Sequence, residues 1–444
     1  MRKFLRLGKV LLINLVILFL LLEVGAVATY FVKTHEFFYT RNRNRVRTTR
    51  SAFDNDVVNN SAEWLTKFQL HPYFGYTSRV NGPAGIDTVN NLGFDTPYDL
   101  PFRKTNPNQF IVGVVGGSVA MGYAQHEIAN GVLAAALHKV PGFENKQLVL
   151  LNLANASYKQ PQQLLIINYL RALGQDFDVV INIDGFNEVA DALLNAHAGI
   201  DVSMPASHMI VPLIDLADNN ASPERISLIS DVIKAKGHLV PALEGMDHCR
   251  TAICYTFEWI QASYWQRVYD KDSQQLSGLK LGDRRRASIV QVKRIDNTTD
   301  EDQIEKTAAG IWADSSLALN ELLSPRGIWY FHFLQPNQRY TKHQFGAAEQ
   351  ALAINDKSMF GPGVTTGYQQ LIVKLAELQK SGVRIVNGVE VFDDVKSAVY
   401  ADDCCHYNDF GKKVFAEFVA RQVAAALKAG RANNNSGLSL EQLK

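Results

Sequence analysis

The run Gln109–Gly116 is almost continuously apolar, and it stops at Gly116-Gly117 with Ser118 next in line. A run of that kind suits a strand buried on both faces of a parallel sheet, because only a doubly covered strand has no polar side. A helix-like segment follows, with Val132, Leu133 and Leu137 on its apolar positions. A serine between such a strand and a helix stands where open α/β sheets gather their ligands. The simpler reading of Gly-Gly-Ser is a strand-to-helix turn with Ser118 as the helix cap.

The same rhythm recurs along the chain. Gln147–Asn152 reads as a second buried strand, and Gln162–Leu173 as an amphipathic helix stopped by Gly174. Phe177–Ile183 reads as a third strand, ending in Asp184-Gly185-Phe186-Asn187-Glu188. Further strands are expected at Gly327–Leu334 and Val383–Val386, with helices at Thr366–Leu378 and from about Lys412 to Leu427. Strand–helix alternation of this kind predicts an α/β fold with a doubly wound parallel sheet in three layers. Between the third strand and Gly327, prolines at 205, 212, 223 and 241 punctuate short charged segments, too long for a plain crossover.

The N-terminus reads differently. Arg2, Lys3, Arg6 and Lys9 precede an apolar span from Val10 to Val32 that is long enough to cross a bilayer. Ala26-Val27-Ala28 offers a signal-peptide cleavage site, but the apolar run continues past it, so an uncleaved anchor is the expectation. Glu23 must then be protonated or paired. Arginines at 41, 43, 45, 47 and 50 crowd the far side of the span, as a solvated stem or as contacts to an acidic surface. The bulk of the chain is expected outside the cytoplasm, since too little precedes the span to hold the fold.

The expected organisation is an anchor at 1–33, a juxtamembrane stem at 34–70 with a short helix near Ala62–Phe68, and the first part of the α/β domain at 71–202. A mostly helical insertion follows at 203–314, the second part of the domain at 315–428, and a disordered tail at 429–444. A net charge of +1 supplies no global field for nucleic acid. Four cysteines show no zinc-like spacing with histidine. Cys249 and Cys254 are expected to close a small disulfide loop in an oxidising compartment.

Three strand-end loops and one C-terminal loop carry groups suited to acyl transfer. Ser118 is the candidate nucleophile, and Asn187 can donate its amide to an oxyanion alongside the backbone N–H groups of Ser118 and of the Ala156–Ser157 loop. Asp403 and His406 lie three apart before the final helix, a spacing that lets one turn hold a base and its orienting acid. Asp402 is the alternative acid, shifted by one residue. Asn187 is otherwise a turn residue, and His406 otherwise a helix cap. Cys404 and Cys405 read as packing residues or as partners of another cysteine. Neither His332 nor His343 is assigned to the site.

In order and spacing these blocks resemble the SGNH (GDSL-like) hydrolase superfamily. Gly116-Gly117-Ser118-Val119 matches the first block, Asn152–Tyr158 the second, Gly185–Glu188 the third and Asp403–His406 the last. His71–Tyr76, Asn91–Phe94 and Leu334–Asn337 also look like membrane-anchored bacterial members. The resemblance covers about residues 70–200 and 325–428. It implies a serine nucleophile at Ser118, a triad completed by Asp403 and His406, and an oxyanion hole from Ser118, Ser157 and Asn187. It implies an O-acyl esterase acting on an acylated glycan, lipid or small ester, with no cofactor or metal. The alternatives are an O-acyltransferase of envelope polysaccharide on the same site, and a non-catalytic scaffold or glycan-binding protein. Two departures stand out: Gly117 replaces the usual Asp, and Ser157 replaces a Gly of the second block.

Overall fold

The computed structural model describes residues 2–34, 37–40, 67–80, 89–217, 223–278, 290–295, 300–355, 358, 360–361 and 363–435. The strands are β1 (Phe68–His71), β2 (Gly75–Ser78), β3 (Gln109–Gly116), β4 (Gln147–Asn152), β5 (Val179–Asp184), β6 (Trp329–Leu334) and β7 (Ile385–Asn387). The helices are α1 (Arg2–Thr34), α2 (Ser118–Asn130), α3 (Val132–Leu137), α4 (Gln162–Ala172), α5 (Phe186–His197) and α6 (Ser207–Ala217). They continue with α7 (Pro223–His248), α8 (Ala252–Gly278), α9 (Glu301–Leu323), α10 (Ala347–Ala353), α11 (Val364–Lys380) and α12 (Asp409–Asn435).

The chain divides into two compact units, Leu65–Ala217 with Ser288–Lys444, and Met1–Trp64 with Asp218–Ala287. In the first unit β3–β7 form a five-stranded sheet in the order β4-β3-β5-β6-β7, every neighbour parallel. This is the 2-1-3-4-5 order of a doubly wound α/β sheet, whose chain reverses direction across the sheet after its second strand. Helices α2, α3 and α12 pack together, and α4, α5, α9 and α11 form a second packed group. Right-handed crossovers put two such groups on opposite faces. Every residue of β3 and β5 is buried, and the polar Asn182 and Asp184 of β5 are hydrogen-bonded there. Truncating one of their large side chains, Ile111 for example, would cost about 2–5 kcal/mol.

The antiparallel pair β1–β2 lies outside this sheet. Two tyrosines tie it to the loop after β4. Tyr76 Oη donates to the Ala156 carbonyl at 2.6 Å, and Tyr158 Oη donates back to the Tyr76 carbonyl.

Several boundaries differ from expectation. The helix after Ser118 is two helices, broken at Gly131, whose φ of +64° is left-handed. The side chain of Glu127 accepts the Leu133 N–H at 2.8 Å across that break. The region expected as an insertion at 203–314 is divided: α6 and α9 belong to the unit that holds the sheet, while α7 and α8 belong to the other. Helix α9 is amphipathic and buries Ile304, Ala308, Trp312 and Leu319, so it serves as the crossover helix between β5 and β6. Of the tail expected to be disordered, residues 429–435 continue α12, and the remainder lies outside the described residues. The short helix expected near Ala62–Phe68 falls almost wholly outside the described residues.

The second unit contains α1, in which Ile13–Thr34 is long and apolar enough to cross a membrane, at a mean hydropathy of 2.4. Glu23 within it is paired. Its carboxylate accepts the N–H groups of Ala252 (2.5 Å) and Ile253 (3.0 Å) at the start of α8, and the Tyr39 hydroxyl (2.6 Å). An acid at a helix N-terminus satisfies otherwise orphaned N–H groups and opposes the helix dipole. Tyr30, Phe38 and Ala252 are buried around this contact. Cys249 and Cys254 are joined across the α7–α8 turn.

Candidate active site

The site begins at the C-terminal end of β3. Gly116 has φ +139°, and a Cβ there would lie 1.9 Å from the Ile183 carbonyl of the neighbouring strand. Only glycine fits. The chain turns and α2 starts at Ser118. Gly117 has an ordinary φ of −84° but sits close to Asn187, since a Cβ on it would lie 2.1 Å from Asn187 Nδ2 and 3.2 Å from the Tyr158 carbonyl. An aspartate at 117, as the resemblance leads one to expect, would require the Asn187 amide to move. Gly117 thus lies where three loops pack together, from the ends of β3, β4 and β5. They meet beside the switch point of the sheet, where β3 and β5 are neighbours with crossovers running opposite ways.

His406 completes the contact. Its Nε2 lies 2.7 Å from Ser118 Oγ. Its Nδ1 is bonded to a carboxylate, but that carboxylate is Asp402, not the expected Asp403. Asp403 instead accepts a hydrogen bond from Asn355 Nδ2 at 2.7 Å. The reason lies in the loop itself. Tyr400 pairs with Tyr407, and Ala401 N–H bonds to the His406 carbonyl at 2.9 Å, so residues 401–406 make a closed turn. Asp402 points into that turn, where its Oδ1 accepts the N–H groups of Cys404, Cys405 and His406, each at 3.1 Å. Asp403, one residue on, points out.

The electrostatics follow from these contacts. Burial alone would raise the Asp402 pKa, but the His406 charge and the N–H donors outweigh it and hold the acid at about 2. Burial works to lower His406, and the Asp402 carboxylate lifts it well above the ordinary imidazole value nonetheless. Imidazole between a fixed carboxylate and a serine hydroxyl can accept the serine proton and hold the resulting charge.

The expected oxyanion donors cluster nearby. Asn187 is buried at the start of α5 and gives one amide hydrogen to the Tyr158 carbonyl at 2.9 Å, leaving the second donor of the NH2 group for a ligand. The Ser118 N–H sits in the first turn of α2, where N–H groups have no partner within the helix. Ser157 adopts φ +54°, in the left-handed region that non-glycine residues seldom occupy. Its Oγ lies 3.1 Å from Nε2 of His208, on α6. Burial lowers His208 to about 4, so this imidazole is neutral.

A layer of buried polar groups supports these loops. Glu188 accepts the Gly185 N–H at 2.8 Å and the Gln160 N–H at 3.0 Å, bracing two of them. Asp184 accepts Trp312 Nε1–H at 2.6 Å and bonds His332 Nε2 at the same distance, tying α9 to the end of β5. His343 bonds Glu349, whose other oxygen accepts the N–H groups of Val399 and Tyr400 at the entry to the His406 loop. His332 and His343 are therefore buried within the scaffold.

A small pocket of ≈ 30 Å³ adjoins Ser118 and His406, lined among others by Val119, Tyr123, Tyr407 and Phe415. Cys404, Cys405 and His406 bring three potential metal donors within 4.8 Å of one another. Both His406 nitrogens are already engaged, so an ion could take that imidazole only by displacing Ser118 or Asp402.

Sequence reasoning ranked Asp402 behind Asp403 and missed His208 and the glutamate brace. Spacing favoured Asp403 over its neighbour, and the others carried no local signal. Comparison with profiles of known protein families and with characterised proteins returns no match. What can be said of the class is that this is an α/β chain with a parallel sheet, a Ser–His–Asp line at the sheet's C-terminal edge, and one N-terminal apolar helix.

Proposed function

We propose that the chain is a membrane-anchored serine hydrolase that cleaves O-acyl esters outside the cytoplasm. The observation that carries this reading is the 2.7 Å contact between Ser118 Oγ and His406 Nε2, with Asp402 on the far nitrogen. Ser118 would attack the ester carbonyl while His406 takes its proton. The oxyanion would rest on the N–H groups of Ser118 and Ser157 and on the Asn187 amide. His406 would then protonate the departing alcohol, leaving the acyl group on Ser118, and would activate the water that releases the acid.

The SGNH-like order of the four blocks supports the same reading, with Asp402 in the place first given to Asp403. That resemblance points to an acylated glycan, lipid or small ester as substrate. A pocket of ≈ 30 Å³ beside the serine favours a short acyl group such as acetyl. The apolar helix and the Cys249–Cys254 bond support an anchor with its N-terminus inside and the fold in an oxidising compartment. A second reading keeps the same site and has a sugar hydroxyl rather than water accept the acyl group.

The test is labelling of the detergent-solubilised full chain with a fluorophosphonate. Wild type should label, and Ser118→Ala and His406→Ala should not. A folded wild type that neither labels nor turns over p-nitrophenyl acetate would point to the non-catalytic scaffold instead. Faster turnover of that ester on adding a polysaccharide acceptor would select transfer over hydrolysis.

A further inference from the structure

Two thiols stand between Asp402 and His406. Cys404 Sγ and Cys405 Sγ lie 3.1 Å apart, and neither takes part in the Cys249–Cys254 bond. We propose that Cys404 and Cys405 are a redox site, which a disulfide oxidant closes into a vicinal disulfide, and that closure pulls the Asp402–His406 pair apart. The consequence for the serine rests on the functional reading above, whereas the redox site does not.

The argument is geometric. A disulfide bond is about 2.05 Å long, so the two sulfurs have only about 1 Å left to travel. Their backbones are less favourably placed. Neighbouring Cα atoms sit about 3.8 Å apart across a trans peptide, closer than the roughly 4.4–6.8 Å that an unstrained disulfide takes. The peptide between the two cysteines therefore has to turn as the ring closes. Asp402 holds that peptide, since its Oδ1 accepts the Cys405 N–H at 3.1 Å, and it holds the preceding peptide through the Cys404 N–H at 3.1 Å. Ring closure and the Asp402-centred turn compete for the same backbone. A disulfide strained in this way is readily reduced, which makes the change reversible.

The chemistry can proceed from the exposed side. Cys404 is half-buried and Cys405 buried. The Cys404 thiol is held above its ordinary pKa by its hydrogen bond to Cys405 and by burial, so it passes its proton to the Cys405 thiolate as it attacks an external disulfide; a mixed disulfide forms, and the departing thiolate takes up that proton and leaves as a thiol, with Cys405 again a thiolate. Cys405 then attacks Cys404 Sγ, closing the ring and releasing the second thiol. Two protein thiols are oxidised and one external disulfide is reduced to two thiols. Burial would raise the Cys405 pKa, but the hydrogen bond from the Cys404 thiol and the charge of His406 bring it to about 6, so the second nucleophile is available as thiolate.

The experiment treats the solubilised full chain with oxidised glutathione. It follows free thiols, the peptide map, the His406 imidazole nitrogen resonances and the rate of fluorophosphonate labelling. The two free thiols should disappear together without a lasting glutathione adduct, and the His406 resonances should move. Labelling should slow about a hundredfold, the scale of a lost general base, and a reductant should restore it. Cys404→Ser should label like reduced wild type and ignore the oxidant, although it keeps Cys249 and Cys254. Thiols that stay unreacted in the folded chain, or oxidation that stops at an adduct on Cys404, would overturn the proposal. So would a closed ring that leaves the His406 resonances unmoved. If reduced wild type does not label, the serine reading fails, and the thiol count and the resonances still decide the redox site.

Discussion

The loop that carries Ser118 and the loop that carries His406 meet at 2.7 Å, but they are held in different ways. The serine loop is set by its surroundings. β3 is buried on all sides, and Gly116 and Gly117 are pressed against Ile183 and Asn187 so closely that a Cβ on either would overlap a neighbour. The histidine loop is set mainly from within, wound on the carboxylate of Asp402, which accepts three of its own N–H groups. One half of the site is therefore fixed by a sheet edge that tolerates little change. The other half depends on one side chain, and a local event such as thiol oxidation can reach it.

The same difference governs what could be read from the chain. A long apolar run ending in Gly-Gly-Ser is a local signal with one physical solution, so β3 and the position of Ser118 were legible. Asn187 followed from an equally plain strand end. Choosing between Asp402 and Asp403 depended on which way a six-residue turn faces, and residue spacing does not carry that information. Three-residue spacing favoured Asp403, whereas the backbone hydrogen bonds of the turn select Asp402. The role of α9 was hidden for a related reason. Its apolar positions announce a helix, but only the contact of Trp312 with Asp184 shows that it covers the sheet. Ser157 runs the other way: the resemblance marked a glycine position, and the left-handed φ of +54° is the conformation such a position demands.

Each of the following measurements would break or sharpen this contrast. The largest effect is expected from removing a reacting group. Ser118→Ala or His406→Ala should lower ester turnover by roughly 10⁴-fold or more with the far-UV circular dichroism unchanged. Residual turnover within tenfold of wild type would mean that the two loops do not form one working site. Next comes the crowded half. Gly117→Ala should displace Asn187 and lower kcat by roughly 10²–10³-fold, the scale of a lost oxyanion donor. Undiminished turnover by Gly117→Ala would show that the serine loop is less confined than its contacts imply.

The pH profile tests the self-wound half. Asp402 lifts the His406 pKa, and His406 must be neutral to take the serine proton, so activity should rise with pH on a limb lying above the ordinary imidazole value. In Asp402→Asn that limb should move to lower pH. A limb that stays in place would remove Asp402 as its cause. The smallest effect is expected away from both loops. Glu23→Gln should weaken the cap on α8 by about 1 kcal/mol, seen as faster hydrogen exchange at Ala252 and Ile253, and leave ester turnover unchanged.

The most direct test compares two adjacent acids. The rate of Ser118 modification by a fluorophosphonate would be measured in wild type, Asp402→Asn and Asp403→Asn. The contacts predict a fall of roughly 10³–10⁴-fold for Asp402→Asn, the scale of a lost orienting carboxylate, and a change of no more than about threefold for Asp403→Asn, which loses one exposed hydrogen bond to Asn355. The reverse order, or equal and small effects at both positions, would contradict a site organised around Asp402.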